Sequence, residues 1–200
     1  MNDGAKTVCI IGGGIGGLSA AAMLAKKGFK VTLLEKNTRL GGRAQAWEQD
    51  GFIFDMGPSW YLMPEVFERF FEELGCSRSD YYDLQKLDPY YRVFFSKDEV
   101  VDVTPDLLKT KELFETFEDN GGSKLTSYLE KAAYKYKIAM QEFLYTEYRS
   151  LFQFFNRRIM TEGLKMQIFS SLDKFVSKFF SDRRSKQILE YAMVFLGASP

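Results

Sequence analysis

The chain has 200 residues, with 27 Lys and Arg balanced by 27 Asp and Glu. Zero net charge argues against a protein built chiefly to grip nucleic acid, which draws on a surplus of basic residues. His is absent, which removes Ser-His-Asp and Cys-His catalysis, His-ligated metal and His-based pH switching.

Two cysteines, Cys9 and Cys76, can build neither a disulfide framework nor a four-Cys metal site, and they suit a reducing compartment. The opening Met1 to Thr7 is polar and does not read as a secretory signal. No run approaches the roughly 20 apolar residues of a membrane span. A cytoplasmic protein is expected, one that can attach to a membrane from the cytoplasmic side.

Val8-Cys9-Ile10-Ile11 reads as a strand buried on both faces. The glycine cluster Gly12-Gly13-Gly14-Ile15-Gly16-Gly17 follows it. Leu18 to Lys27, rich in Ala and Leu, reads as a helix closed by Gly28. Val31 to Glu35 reads as a second buried strand, completing a βαβ unit. Phe52-Ile53-Phe54 is a brief strand. Pro64 to Leu74 places Val66, Phe67, Phe70, Phe71 and Leu74 on one helical face, with Pro64 in the first turn and Gly75 at the end. Tyr91 to Phe95 and Val100 to Val103 form a hairpin around Ser96 to Glu99. Thr104 is then an N-cap, with Pro105 at the first helical position and Asp106 in the first turn. The remainder reads as helix, broken at Asn120-Gly121-Gly122.

Gly12-x-Gly14-x-x-Gly17 fits the dinucleotide fingerprint. The first glycine permits the turn, the second admits a pyrophosphate to the backbone, and the third lets helix and strand pack closely. The diphosphate would sit on the helix N-terminus, beside Ile15 and Gly16. Glu35, at the end of the next strand, suits the hydroxyls of the adenine ribose and repels a 2′-phosphate, which leaves NAD and FAD. Gly41-Gly42-Arg43 supplies backbone N–H groups and a guanidinium to clamp a diphosphate from its other side. A simple NAD domain has no need of that clamp. Gly51 to Trp60, with Gly57, Pro58 and Ser59, adds bare backbone against which a flat ring system could lie.

On these residues the sequence resembles the FAD-dependent carotenoid desaturases of the bacterial phytoene desaturase type, within the flavin amine oxidase-like superfamily. Ile10 to Ala20, Leu34-Glu35-Lys36, Gly41-Gly42-Arg43-Ala44 and Gly51 to Ser59 carry the resemblance. The first two stretches are common to many flavoproteins, and the last narrows it to the desaturase branch. Met63 to Phe67, Asp88 to Arg92 and Gly197 to Pro200 extend it loosely.

The resemblance implies FAD as cofactor and an isoprenoid hydrocarbon such as phytoene as substrate. A hydride would pass to flavin N5 as a proton leaves the adjacent carbon, with quinone or oxygen as final acceptor. Cofactor contacts are expected from Gly12, Gly14, Ile15, Gly16, Gly17, Glu35, Lys36, Gly42, Arg43, Gly57, Pro58 and Ser59; no residue matches a catalytic acid or base, and no metal site is expected. Related flavoenzymes (a carotene isomerase, retinol saturase or amine oxidase) and a non-catalytic FAD- or lipid-binding protein are the alternatives, and an NAD-dependent dehydrogenase domain ranks below them.

The expected fold is α/β: a Rossmann-like FAD-binding βαβ unit, a small β-hairpin segment, then a mostly helical region facing substrate or membrane. The division expected is residues 1–103 for the cofactor-binding part and 104–200 for the aromatic helical part. Residues 157–190 hold eight Lys and Arg against four Asp and Glu, so a net-neutral chain hides a basic half. Met166, Ile168, Phe169, Leu172, Phe175, Val176, Phe179 and Phe180 recur at helical spacing. That pattern fits a core helix with a solvated face, or a basic amphipathic helix lying in a bilayer interface. The aromatic stretch from Phe143 to Phe155 likewise suits core or a substrate channel. A doubly wound domain needs more parallel strands than the sequence offers, so the expectation is the opening portion of a longer flavoenzyme, inactive by itself.

Overall fold

The computed structural model describes residues 6–58, 60–145, 147, 149–150, 170–191 and 193. Two compact units meet between Gln85 and Lys86. The first opens with strand β1 (Thr7–Ile11), helix α1 (Ile15–Lys26) and strand β2 (Lys30–Leu34). The strands pair in parallel, Val8 opposite Val31 and Ile10 opposite Leu33. A right-handed crossover through a helix is the standard way to join such strands. Gly28 ends α1 at φ +85°, donating to Ala25 O while Phe29 donates to Leu24 O. These two bonds satisfy carbonyls that the helix end leaves open.

Burial on both faces of β1 and β2 is not what the structure shows. Val8, Ile10, Val31 and Leu33 are half-buried, and a Cβ placed on Gly17 of α1 would touch Ile10. The alternate residues face outward, with Ile11 87% exposed and Cys9 exposed as well. Only one face of this two-stranded sheet carries a helix, so apolarity on the other face is open among the described residues. Cys9 is therefore not the packing residue its apolar context suggests.

A strand not read from the sequence, β3 (Ala46–Gln49), pairs antiparallel with β4 (Phe52–Asp55). Asp50 and Gly51 form the two-residue connection at φ 52° and 83°, the sign required at both positions of a type I′ turn. Helix α2 (Pro64–Leu74) matches its expected bounds, with Pro64 at its start and Gly75 in the left-handed region at its end.

The second unit begins with the hairpin of β5 (Tyr91–Phe94) and β6 (Val100–Val103). The sequence grouped this hairpin with the cofactor-binding part. In the structure Val103 belongs to the core of the second unit, with Phe114, Leu125, Tyr128, Phe175, Val176, Phe180 and Ile188. Helix α3 (Leu107–Phe117) starts two residues later than expected. Asp106, not Thr104, accepts the N–H groups of Leu108 and Lys109, and Thr104 Oγ1 instead accepts from Asp106 N. Helix α4 (Gly121–Ile138) follows Asn120, which stands at φ 59°, and runs into a π-helical turn (Ala139–Leu144).

The amphipathic segment is broken among the described residues. Helix α5 (Leu172–Val176) ends early, and helix α6 (Arg183–Glu190) begins after a new cap at Asp182. Glu118 Oε2 accepts from Ser181 N, Ser181 Oγ and Asp182 N at 2.9–3.0 Å, which holds the chain in a turn where the periodicity alone would continue a helix. Phe175, Val176 and Phe180 are 6%, 0% and 2% exposed, so this face is core. Residues 166–169, and most of the aromatic stretch from Phe143 to Phe155, lie outside the described side chains. No helix among the described residues is long and apolar enough to cross a membrane.

Candidate functional site: a cleft between two glycine loops

β1 delivers the chain into a sharp turn. Gly12 adopts φ +106° and donates to Leu34 O at 2.7 Å, tying the turn to the end of β2. Gly14 is the extended residue before α1, and no side chain caps that helix. The first turn of α1 also lacks an acidic residue, so its N–H groups and dipole present uncompensated positive charge. At Gly17 a Cβ would collide with Gly12 O. The third glycine is thus required by the close approach of helix to turn.

Glu35 reaches back onto the glycine turn. Its Oε2 accepts from Gly13 N at 2.6 Å and its Oε1 from Asn37 N at 2.9 Å. These N–H groups, Asn37 first and then Gly13, outweigh desolvation and hold the carboxyl below the usual Glu range. Each oxygen keeps a further lone pair for an incoming hydroxyl.

The second glycine loop packs directly on the first. Gly41 N donates to Gly13 O at 2.7 Å, and Gly14 and Gly41 form a parallel bridge. Gly42 to Ala44 then make a single 3₁₀ turn. A Cβ on Gly57 would strike the carbonyl oxygen of Arg43, so the segment after β4 can close on this turn only as glycine. Met56 N donates to Gln45 O at 3.0 Å, extending the β3–β4 ladder to the same place.

Together these loops wall an open cleft of about 890 Å³. Of the residues singled out in the sequence, Gly14, Ile15, Gly16, Gly42, Arg43, Gly57 and Pro58 line it. Gly12 and Gly17 shape the turn from behind, Glu35 braces it, and Lys36 is exposed beyond the strand end. Ser59 lies outside the described residues. Gly41, read in the sequence as part of the clamp, also lines the cleft, whereas the sequence reading gave no site role to Ala44, Gln45 or Met56. The Asp50-Gly51 turn signal, which places β3 directly after the second glycine loop, was the available cue to Gln45.

Charge is distributed unevenly around the cleft. Arg39 is committed elsewhere, donating to Ala46 O at 3.1 Å and to Glu48 at 3.2 Å. Arg43 makes no ion pair among the described residues. A guanidinium, an uncapped helix N-terminus and bare glycine backbone around one cleft suit a bridging diphosphate.

Residues 10–74 match the family model of the NAD(P)-binding Rossmann-like domain. A carotenoid 3,4-desaturase of Haloarcula japonica is 46% identical over 98% of this chain and 40% of its own length. The 4,4′-diapophytoene desaturase (4,4′-diaponeurosporene-forming) of Staphylococcus aureus is 33% identical over 96% of the chain and 38% of its own length. That of Staphylococcus haemolyticus is 32% identical over the same shares. By sequence the chain is similar to carotenoid desaturases over nearly its whole length. It spans about two fifths of the length of the relatives it matches. The agreement runs beyond the Rossmann-like segment through the helical unit, which a shared dinucleotide fold alone would not produce.

Proposed function

We propose that the cleft binds FAD and that the protein desaturates a long isoprenoid hydrocarbon such as phytoene. The observation that carries the cofactor reading is the second glycine loop hydrogen-bonded to the first, with Arg43 at its edge. A dinucleotide domain for NAD needs the first loop alone. In this reading Ile15 and Gly16 at the start of α1 hold one side of the diphosphate. Gly42 and Arg43 hold the other, and Glu35 accepts the ribose hydroxyls. Gly57 and Pro58 supply flat backbone beside the remaining part of the cofactor. Bound there, FAD would supply a two-electron acceptor for the hydride lost from one substrate carbon, while the adjacent carbon gives up a proton to a base.

The substrate class rests on the relatives, which are named for carotenoid and diapophytoene desaturation. Quinone or oxygen serves as electron acceptor, and the protein works on the cytoplasmic face of a membrane, where its hydrocarbon is dissolved. Full-length protein purified in the dark should carry flavin and should lengthen the conjugated polyene of phytoene in liposomes. Flavin with unchanged phytoene would move the reading to an isomerase, saturase or amine oxidase of the same fold.

A further inference from the structure

We propose that Met56 is a site of reversible oxidation by hydrogen peroxide, and that its sulfoxide lowers the affinity of the cleft for FAD. The proposal rests on the FAD reading above for its consequence, and on the exposure of one thioether for the modification itself.

The chain holds eight methionines. Met56 is 58% exposed, whereas Met23, Met63, Met140 and Met193 are half-buried. Peroxide attacks a thioether that solvent reaches and spares one that packing covers. Among the described residues lining the cleft, Met56 alone carries sulfur, and none is Cys, Trp or Tyr. The readily oxidised side chain of the site is therefore also the most exposed of the described methionines.

Its position is fixed from both sides. Met56 N donates to Gln45 O at 3.0 Å, one step beyond the paired residues of β3 and β4. The next residue, Gly57, stands so close to Arg43 that a Cβ would strike the Arg43 carbonyl oxygen. Moving the Met56 backbone out of the cleft would break both contacts, so a modified side chain stays at the site.

The oxidant arises where the methionine stands. Where oxygen is the acceptor, O2 takes two electrons and two protons from the reduced cofactor and leaves as hydrogen peroxide. Peroxide then transfers one oxygen atom to Met56 Sδ. The O–O bond breaks, an S–O bond forms, and the other oxygen departs as water; sulfur is oxidised by two electrons and peroxide is reduced by two. A flexible apolar side chain becomes a polar one that accepts hydrogen bonds. Donors in the same cleft are the Arg43 guanidinium and the uncapped N–H groups of α1. These are the groups assigned to the diphosphate, so a sulfoxide oxygen competes with it. Turnover that passes electrons to oxygen thus loosens its own cofactor, and methionine sulfoxide reductase reverses the change.

The test exposes full-length protein, as purified, to dilute hydrogen peroxide. Peptide mass spectrometry maps the oxidised residues, and the fluorescence of flavin released on dilution reads FAD affinity. Met56 should gain an oxygen at least about fivefold faster than Met23, Met63 or Met140. Affinity should fall by at least about tenfold in step with Met56 oxidation, the scale of one hydrogen bond to a charged group. Sulfoxide reductase should restore it. Met56→Leu, a swap of similar volume, should release the same flavin before and after peroxide, with its melting temperature reporting its fold.

Oxidation of Met56 no faster than that of the half-buried methionines would overturn the proposal. So would complete Met56 oxidation with affinity unchanged, and either result leaves the FAD reading standing. Affinity lost equally in Met56→Leu assigns the effect to another residue, such as the exposed Cys9, and overturns it as well. Protein that carries no flavin before peroxide contradicts the cofactor reading itself, and the proposal falls with it.

Discussion

The backbone N–H of Gly41 donates to the carbonyl oxygen of Gly13 at 2.7 Å. Two glycine loops that belong to different βα and loop segments are thereby one surface, with the cleft opening beside the junction. Each loop alone is a common motif; joined, they approach a linear dinucleotide from two sides.

The close contacts in the glycine turn separate packing from ligand effects. Gly17→Ala places a methyl group on Gly12 O and should destabilise the protein by about 1–3 kcal/mol, the usual scale of overpacking. Gly16→Ala meets nothing within 4 Å and should leave the melting temperature unchanged or slightly raised, because Ala is the better helix former. Thermal melts of the two variants check this; equal melting temperatures would contradict the packing role of Gly17.

Arg43→Ala should weaken flavin binding by about tenfold or more, on the scale of a hydrogen bond to a charged group. Its melting temperature without cofactor should stay put, since the guanidinium makes no ion pair among the described residues. Fluorescence titration of apoprotein with FAD reads the effect. Arg43→Lys should recover only part of it, because an ammonium cannot span two phosphate oxygens in the same plane.

Glu35 gives a pH dependence with a defined sign. Its carboxyl is held below the ordinary value of 4.5 by backbone N–H groups, so the folded state favours the ionised form. The stabilisation is present above that value and is lost as pH falls through the lower, folded-state one. Wild type should therefore melt above Glu35→Gln at neutral pH, and the gap should close on acidification. A gap that widens in acid would show that Glu35 does not brace the glycine turn.

Phe180 tests the core of the helical unit. It is 2% exposed and packs edge-on against Phe114 and Tyr128. Phe180→Ala should cost about 3–5 kcal/mol in denaturant unfolding, whereas an interfacial role would leave stability nearly unchanged.

Much of the first unit was legible because its signals are local. Strand, glycine turn, helix and Gly28 stop follow one another in sequence, and each is set by its own residues. β3 escaped because Trp47, Glu48 and Gln49 show no apolar alternation; its partner β4 and the Asp50-Gly51 turn define it. The outward face of β1 was misread because an apolar run reports what a strand tolerates, not what covers it.

In the second unit the errors come from long-range contacts. Glu118 captures the backbone at Ser181 and Asp182, so a helical periodicity is cut by a carboxylate distant in sequence. Val103 draws the hairpin away from the cofactor-binding part for the same kind of reason. Within the site, charge and glycine spacing named most of the lining. Gln45 and Met56 carry no chemical signature and enter the cleft only through the β3–β4 ladder.

The visible spectrum of freshly purified full-length protein, followed by identification of the cofactor released on denaturation, bears most directly on the cleft. The paired visible bands of oxidised flavin are expected, with FAD released and the bands lost in Arg43→Ala after dialysis. Colourless protein that takes up NAD in titration and ignores FAD would contradict the role given to the second glycine loop.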